Sequence, residues 1–211
     1  MASSGLRERK KDRTRATITR VALELFARDG FHATTINDIA EAAEVAPRTV
    51  STYFPSKEGI VFDVYEDAIE RFAQRLAGRR RGVPVHDVVR DWLLDEEEVQ
   101  QGSTRGLVLA HDRDEADFAR LREAAIASDP DLWALQRRHM LPMLPLLTGG
   151  VAEDLGISPD SVAAQAAAEV TIAVLLAMNA RAARTGKAAT AEYDAAMEFV
   201  RAGLAQVQHV D

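Results

Sequence analysis

The sequence predicts an all-α protein, and three observations carry that reading. Apolar residues recur at i, i+3, i+4 and i+7 along most of the chain, the spacing of one helix face. Pro, Gly and capping residues punctuate those stretches, and no run of strict alternation marks a strand. Aromatic residues make up only 6% of the 211 residues, while Ala, Leu and Arg are abundant, a composition that favours helix. No internal repeat is visible.

Residues 1–9 read as a flexible basic arm. Ile18, Val21, Ala22, Leu25 and Phe26 then form the apolar stripe of a first helix, and Gly30 is placed to end it. Thr35 is an N-cap for a second helix, with Asp38 completing a capping box in place of the usual Glu. Ile36, Ile39, Ala40 and Ala43 line that helix. After a break at residues 44–46, Pro47 opens a third helix, where its missing N–H costs nothing, and Pro55 stops it. Ser56 caps a fourth helix from residue 57 to about 79. Further helices are expected at about 86–99, 104–111, 115–128, 130–147, 159–185 and 189–208. Asp129-Pro130, Gly149-Gly150 and Ser158-Pro159 are read as the breaks between them, with Ser158 as a cap. Pro142 and Pro145 should kink the helix over 130–147 or end it early.

Charge divides the chain unevenly. The net charge is −7, yet residues 1–60 carry ten basic and eight acidic side chains, and the remaining 151 carry sixteen and twenty-five. Seven basic residues fall within residues 1–20. A basic head on an acidic body fits a polyanion that meets the head alone, although a solvated tail gives the same count. With no cysteine, disulfide scaffolds, thiolate zinc sites and cysteine catalysis are excluded. Residues 1–20 lack an apolar signal core, and residues 162–180 are interrupted by Gln165, Glu169 and Thr171. The latter read as a buried helix, so no membrane is expected and the location expected is cytoplasmic.

Residues 30–57 carry the sharpest signal. Two short helices joined by a tight turn and packed on a preceding helix describe a helix-turn-helix. Ala40, Ala42 and Ala43 let the pair approach, and Val45 and Val50 fill the space between them. With Val50 set at 0° and about 100° per residue, Phe54 falls near 40° and Tyr53 near 300°, whereas Arg48 and Thr52 fall near 160° and 200°. Thr49 and Ser51 flank that outer face. Arg48 has the fork that reads guanine, and the hydroxyl and methyl groups suit base edges. Thr35, Lys57 and Tyr53 are placed for phosphates, and Arg13 and Arg15, with Arg7, Arg9, Lys10 and Lys11, for tracking the DNA backbone or entering the minor groove.

Residues 13–65 resemble the DNA-binding domain of the TetR family of bacterial transcriptional regulators. The matching run is Leu25-Phe26, Gly30-Phe31, Thr34-Thr35, Ile39-Ala40, Ala42-Ala43, Val45, Thr49-Val50, Tyr53-Phe54 and Ser56-Lys57-Glu58. Three departures stand out. Glu44 replaces a frequent turn Gly, Ala46 replaces the usual Ser/Thr cap, and Ser51 and Thr52 stand where Tyr is common. The first two cost about 1 kcal/mol each in local stability, and the last bears on the operator sequence. The resemblance implies a DNA-binding domain over 10–56 and a helical regulatory domain over 57–211 with a ligand cavity. It further implies a homodimer through about 159–208, double-stranded operator DNA as partner, and release by a small-molecule effector, the usual behaviour of a repressor.

The effector pocket is assigned to bulky and polar body residues: Trp92, Phe118, Trp133, Met140 and Met143, with Arg122, Arg138, His139 and Asn179. Met and aromatic residues at helical spacing are also what a core requires. The five histidines show neither a His-Glu-x-x-His nor a Glu-x-x-His spacing, Asp29-x-x-His32 being the nearest approach, and no metal or other cofactor is expected. The segment from His111 to Glu115 reads as a pocket wall or a solvated loop. No phosphate loop or serine elbow is present, so no enzyme is expected. The alternative is a small-molecule-binding or enzyme-like helical protein with a vestigial DNA-binding head.

Overall fold

A computed structural model describes residues 2–100, 114–185, 193–198 and 202. Among the described residues all regular structure is helical. The helices are α1 (Ala2–Asp29), α2 (Ile36–Ala42), α3 (Pro47–Tyr53), α4 (Lys57–Ala77), α5 (Val85–Gln100), α6 (Asp114–Ser128), α7 (Pro130–Met140), α8 (Met143–Leu155) and α9 (Val162–Thr185). Residues 193–198 are also helical. The helix expected over 104–111, His111 itself, and most of 189–208 lie outside the described residues.

The chain divides into two compact units, residues 1–63 with 98–134, and residues 64–97 with 135–211. In the first unit, the stripe of α1 is buried at Ile18, Ala22, Leu25 and Phe26, and Phe26 meets Phe31 edge-on at 5.0 Å. Gly30 ends α1 with φ +93°, and its N–H donates to the Phe26 carbonyl. α6 packs along α1 and buries Ala125 and Ile126. Asp129 caps α7, its Oδ1 accepting from the N–H groups of Asp131 and Leu132 at 2.9 and 3.1 Å.

In the second unit, Phe72 of α4 meets Trp92 of α5 edge-on at 5.6 Å, and the Trp92 indole donates to the Ala68 carbonyl. α8 packs against α9; Met143, Leu147 and Val151 of the one and Ala164, Ala168 and Ile172 of the other are buried. Tyr193 is fully buried and donates its hydroxyl to the His86 carbonyl.

Several boundaries differ from the sequence expectation. α1 is helical from Ala2, where an arm is expected. The run from Leu6 to Lys11 consists of good helix formers with no Pro to interrupt it. The stretch 130–147 is two helices that break at Leu141 and Pro142. Pro145 sits in the first turn of α8, where no intrahelical N–H bond is lost. Gly149 and Gly150 lie inside α8 and end nothing; Gly156, with φ +68°, ends it. α9 is capped by Ser161, whose Oγ accepts from the Ala164 N–H, while Ser158 forms the preceding turn.

Gly150 is buried, and a Cβ there would lie 2.6 Å from Val85 Cγ2 and 2.9 Å from Val85 Cβ. Gly149, one position away, has open space around it. Gly149→Ala is therefore expected to raise stability by about 0.5–1 kcal/mol through helix propensity. Gly150→Ala should lower it by about 1–3 kcal/mol through overpacking. Urea unfolding of the two variants checks this, and equal effects would refute the packing argument.

Candidate nucleic-acid interface

The interface is built on the placement of α3. Thr35 caps α2 through a complete capping box. Its hydroxyl donates to Asp38 Oδ2 at 2.8 Å, and Asp38 Oδ2 also accepts from the Thr35 N–H at 2.7 Å. These bonds from Thr35 hold the Asp38 carboxyl below its usual pKa. The turn that follows passes through Glu44 at φ +54°, a left-handed residue that lets the Val45 N–H reach the Ala40 carbonyl at 2.9 Å. α3 then starts at Pro47 with Ala46 as a cap that makes no side-chain bond.

Val50 is fully buried and Phe54 nearly so, which turns the opposite side of α3 outward. Arg48, Ser51 and Thr52 are exposed, and Thr49 and Tyr53 are half-buried. The Thr52 hydroxyl donates to the Arg48 carbonyl at 2.8 Å, and the Ser51 hydroxyl to the Pro47 carbonyl at 3.4 Å. Their protons are thereby used within the helix. What they offer a duplex is acceptor lone pairs and, for Thr52, a methyl group, which suits amino groups of bases and the thymine methyl.

The residues assigned to phosphates fare differently. The Lys57 ammonium donates to the carbonyls of Phe31 and Thr34, both at 2.8 Å, and lies 4.6 Å from the Phe31 ring centroid. Two of its three N–H groups thus tie the α1–α2 loop to the start of α4. The Thr35 hydroxyl is taken up by Asp38, whose negative charge sits where a phosphate would approach. Arg15 is turned inward, donating to Asp63 and to the Tyr53 carbonyl and lying over the Phe54 ring. Arg13 is exposed.

The nine residues assigned to an effector pocket are divided between the two units. Phe118, Arg122 and Trp133 belong to the first; Trp92, Arg138, His139, Met140, Met143 and Asn179 belong to the second. Trp133 is 58% exposed, Arg138 and His139 are exposed, and Met140, Met143 and Trp92 are packed into the core. Partial desolvation of its ring and the neighbouring Arg138 charge push the His139 pKa down. Phe118 and Asn179 are half-buried. Arg122 is buried, with its Nε donating to the Val61 carbonyl at 2.8 Å.

His32 also acquires partners that no local spacing shows. Its Nε2 lies 3.4 Å from Asp129 Oδ2 and 3.2 Å from Asp131 Oδ2, about a hundred residues away in sequence. Asp29, in contrast, pairs with Arg28.

A bihelical wedge with a buried inner face and a polar outer face on its second helix defines a helix-turn-helix protein. Residues 18–64 match the profile described as bacterial regulatory proteins, tetR family. It is 45% identical over 78 residues to the HTH-type transcriptional regulator TcmR of Streptomyces glaucescens, covering 37% of this chain and 34% of that protein. It is 34% identical over 68 residues to RutR of Escherichia coli K12, covering 32% of each. The match spans about a third of the length of these curated relatives. The fold is similar to that of FadR from Bacillus halodurans, with a TM-score of 0.57 and 14% identity over 89% of this chain and 94% of that one. It is also similar to FadR from Bacillus subtilis in complex with stearoyl-CoA, with a TM-score of 0.56 and 17% identity over 87% and 96%.

Two substitutions test this local architecture. Glu44→Gly should stabilise the protein by about 0.5–1 kcal/mol, since Gly adopts the left-handed turn without a Cβ penalty. An unchanged or lowered midpoint in urea would count against strain at Glu44. Lys57→Met should cost about 1–3 kcal/mol by leaving two carbonyls without a charged donor. Full retention of the midpoint would show that water replaces the ammonium at no cost.

Proposed function

We propose that this chain is a homodimeric, ligand-responsive, sequence-specific DNA-binding regulator of transcription, acting as a repressor that a small molecule releases from its operator. The observation that carries this reading is the outer face of α3, polar and exposed behind a fully buried Val50. Arg48, Thr49, Ser51 and Thr52 would meet base edges in the major groove, with Tyr53 and Arg13 against phosphates. Lys57 and Thr35 would act chiefly by shaping the loop and the helix that carry α3.

The dimer is supported by α9. By length and composition alone its residues 162–181 are apolar enough to cross a membrane, Gln165, Glu169 and Thr171 notwithstanding. One face is buried within the second unit at Ala164, Ala168, Ile172 and Leu175, while Val162, Ala166, Val170, Ala173 and Ala177 are exposed along the other. A stripe of small apolar residues at helical spacing suits close approach of a second copy across a two-fold axis. Two copies would then present their α3 helices to successive major grooves, about 34–36 Å apart. In this reading the protein is cytoplasmic and uses no cofactor. The effector would enter the helical body; acyl-CoA thioesters are the first class to screen, because the similar B. subtilis protein holds stearoyl-CoA.

Arg48→Ala tests the reading on duplexes that the wild-type chain selects from a random-sequence pool. Affinity should fall by about 1–3 kcal/mol, with base preference relaxed at one position of each half-site. Unchanged affinity together with unchanged preference would remove Arg48 from the interface, and failure of the wild-type chain to enrich any duplex would overturn the reading as a whole.

A further inference from the structure

The carboxylate of Asp63 lies between two arginines that come from different parts of the chain. Arg15 of α1 approaches Oδ2, with its Nε at 3.3 Å and an Nη at 3.2 Å. Arg122 of α6 places an Nη 3.9 Å from Oδ1. The Asp63 and Arg122 side chains are 13% and 9% exposed, so water screens that pair weakly, whereas the Arg15 side chain is 42% exposed and its pair is screened more. Arg122 is fixed independently by its Nε bond to the Val61 carbonyl on α4.

Arg15 also holds the end of α3. Its other Nη donates to the Tyr53 carbonyl at 3.4 Å, and its guanidinium lies 4.5 Å from the centroid of the Phe54 ring. Tyr53 is the last residue of α3 and Phe54 its C-cap. A C-terminal carbonyl lacks an intrahelical partner, so a cation there fixes both the helix end and its direction. The path therefore runs from α6 through Arg122, Asp63 and Arg15 to the helix that carries Arg48.

We infer that Asp63 sets the pose of α3 and that Arg122 is a positioning residue for DNA binding, although it lies 61 residues beyond Val61 in sequence and outside the helix-turn-helix. The inference rests on the DNA-binding reading above and deepens it by naming how α6 is coupled to the recognition helix. Bidentate base contacts tolerate little change in angle, so loosening the Tyr53 end weakens every contact on the outer face at once. Arg15 and Arg122, which resemble a phosphate contact and a ligand contact in the sequence, act as one unit on a single carboxylate.

The test uses the full chain and a labelled duplex that the wild-type chain selects from a random-sequence pool. Arg15→Gln, Arg122→Gln, the double variant and Asp63→Asn are titrated over a series of salt concentrations, at a temperature where thermal melts show each folded. Asp63→Asn keeps the shape of the side chain and carries the test if Arg122→Gln fails to fold. Each single variant is expected to weaken binding by about two- to thirtyfold. The salt slope should stay at the wild-type value, and the double variant should bind no more weakly than the worse single one. Wild-type affinity in Arg122→Gln or Asp63→Asn would overturn the coupling, as would additive effects. A slope reduced by about one in Arg15→Gln would make Arg15 a direct phosphate contact instead. If the wild-type chain selects no duplex, the regulator reading fails and the coupling falls with it.

Discussion

The burial of Val50 and Phe54 is the constraint on which the outer surface of α3 depends. A helix of seven residues has no independent stability, and without tertiary contacts it would not persist in water. Removing these two side chains from water contributes about 1.5–3 kcal/mol each. That contribution also fixes the rotation of the helix about its axis, because two buried positions four residues apart define one face. Arg48, Ser51 and Thr52 face outward as a consequence of what Val50 and Phe54 do inside. The strained turn at Glu44 and the uncapped start at Ala46 are tolerated on the same account.

Charged groups around the wedge are used largely to build it. Lys57 closes the α1–α2 loop, Asp38 completes the cap of α2, and Arg15 and Asp63 hold the end of α3. Lys57, Asp38 and Arg15 each satisfy a backbone group, part-buried at Lys57 and Arg15 and exposed at Asp38. The positive charge that a duplex meets is therefore less than the count of basic residues implies. In the proposed DNA-binding reading, specificity would fall correspondingly on Arg48 and the hydroxyl-bearing face beside it.

In the second unit, packing is governed by small residues. Gly150 lets α8 approach Val85 at a distance that no side chain would permit. Alanines lie on both faces of α9, one row buried and the other exposed at the same helical spacing. Ion pairs and carbonyl contacts add to this packing, with Arg79 pairing to Glu153 and Asp154 and the Trp92 indole donating to the Ala68 carbonyl.

The helical class, the helix-turn-helix and the outward face of α3 are legible in the sequence because they depend on local periodicity and caps. The spacing of Val50 and Phe54, the Thr35–Asp38 box, Gly30 and Pro47 each act within a few residues. The destinations of Arg15, Lys57, Arg122 and His32 are not legible, because each partner lies between 23 and 99 residues away or is a backbone carbonyl of another element. Sequence identifies these side chains as charged and leaves their partners open. The double glycine in α8 misleads for the same reason, since in isolation it resembles a helix end. Its role follows only from Val85, which the fold brings against it and whose side chain leaves no room for a Cβ at Gly150.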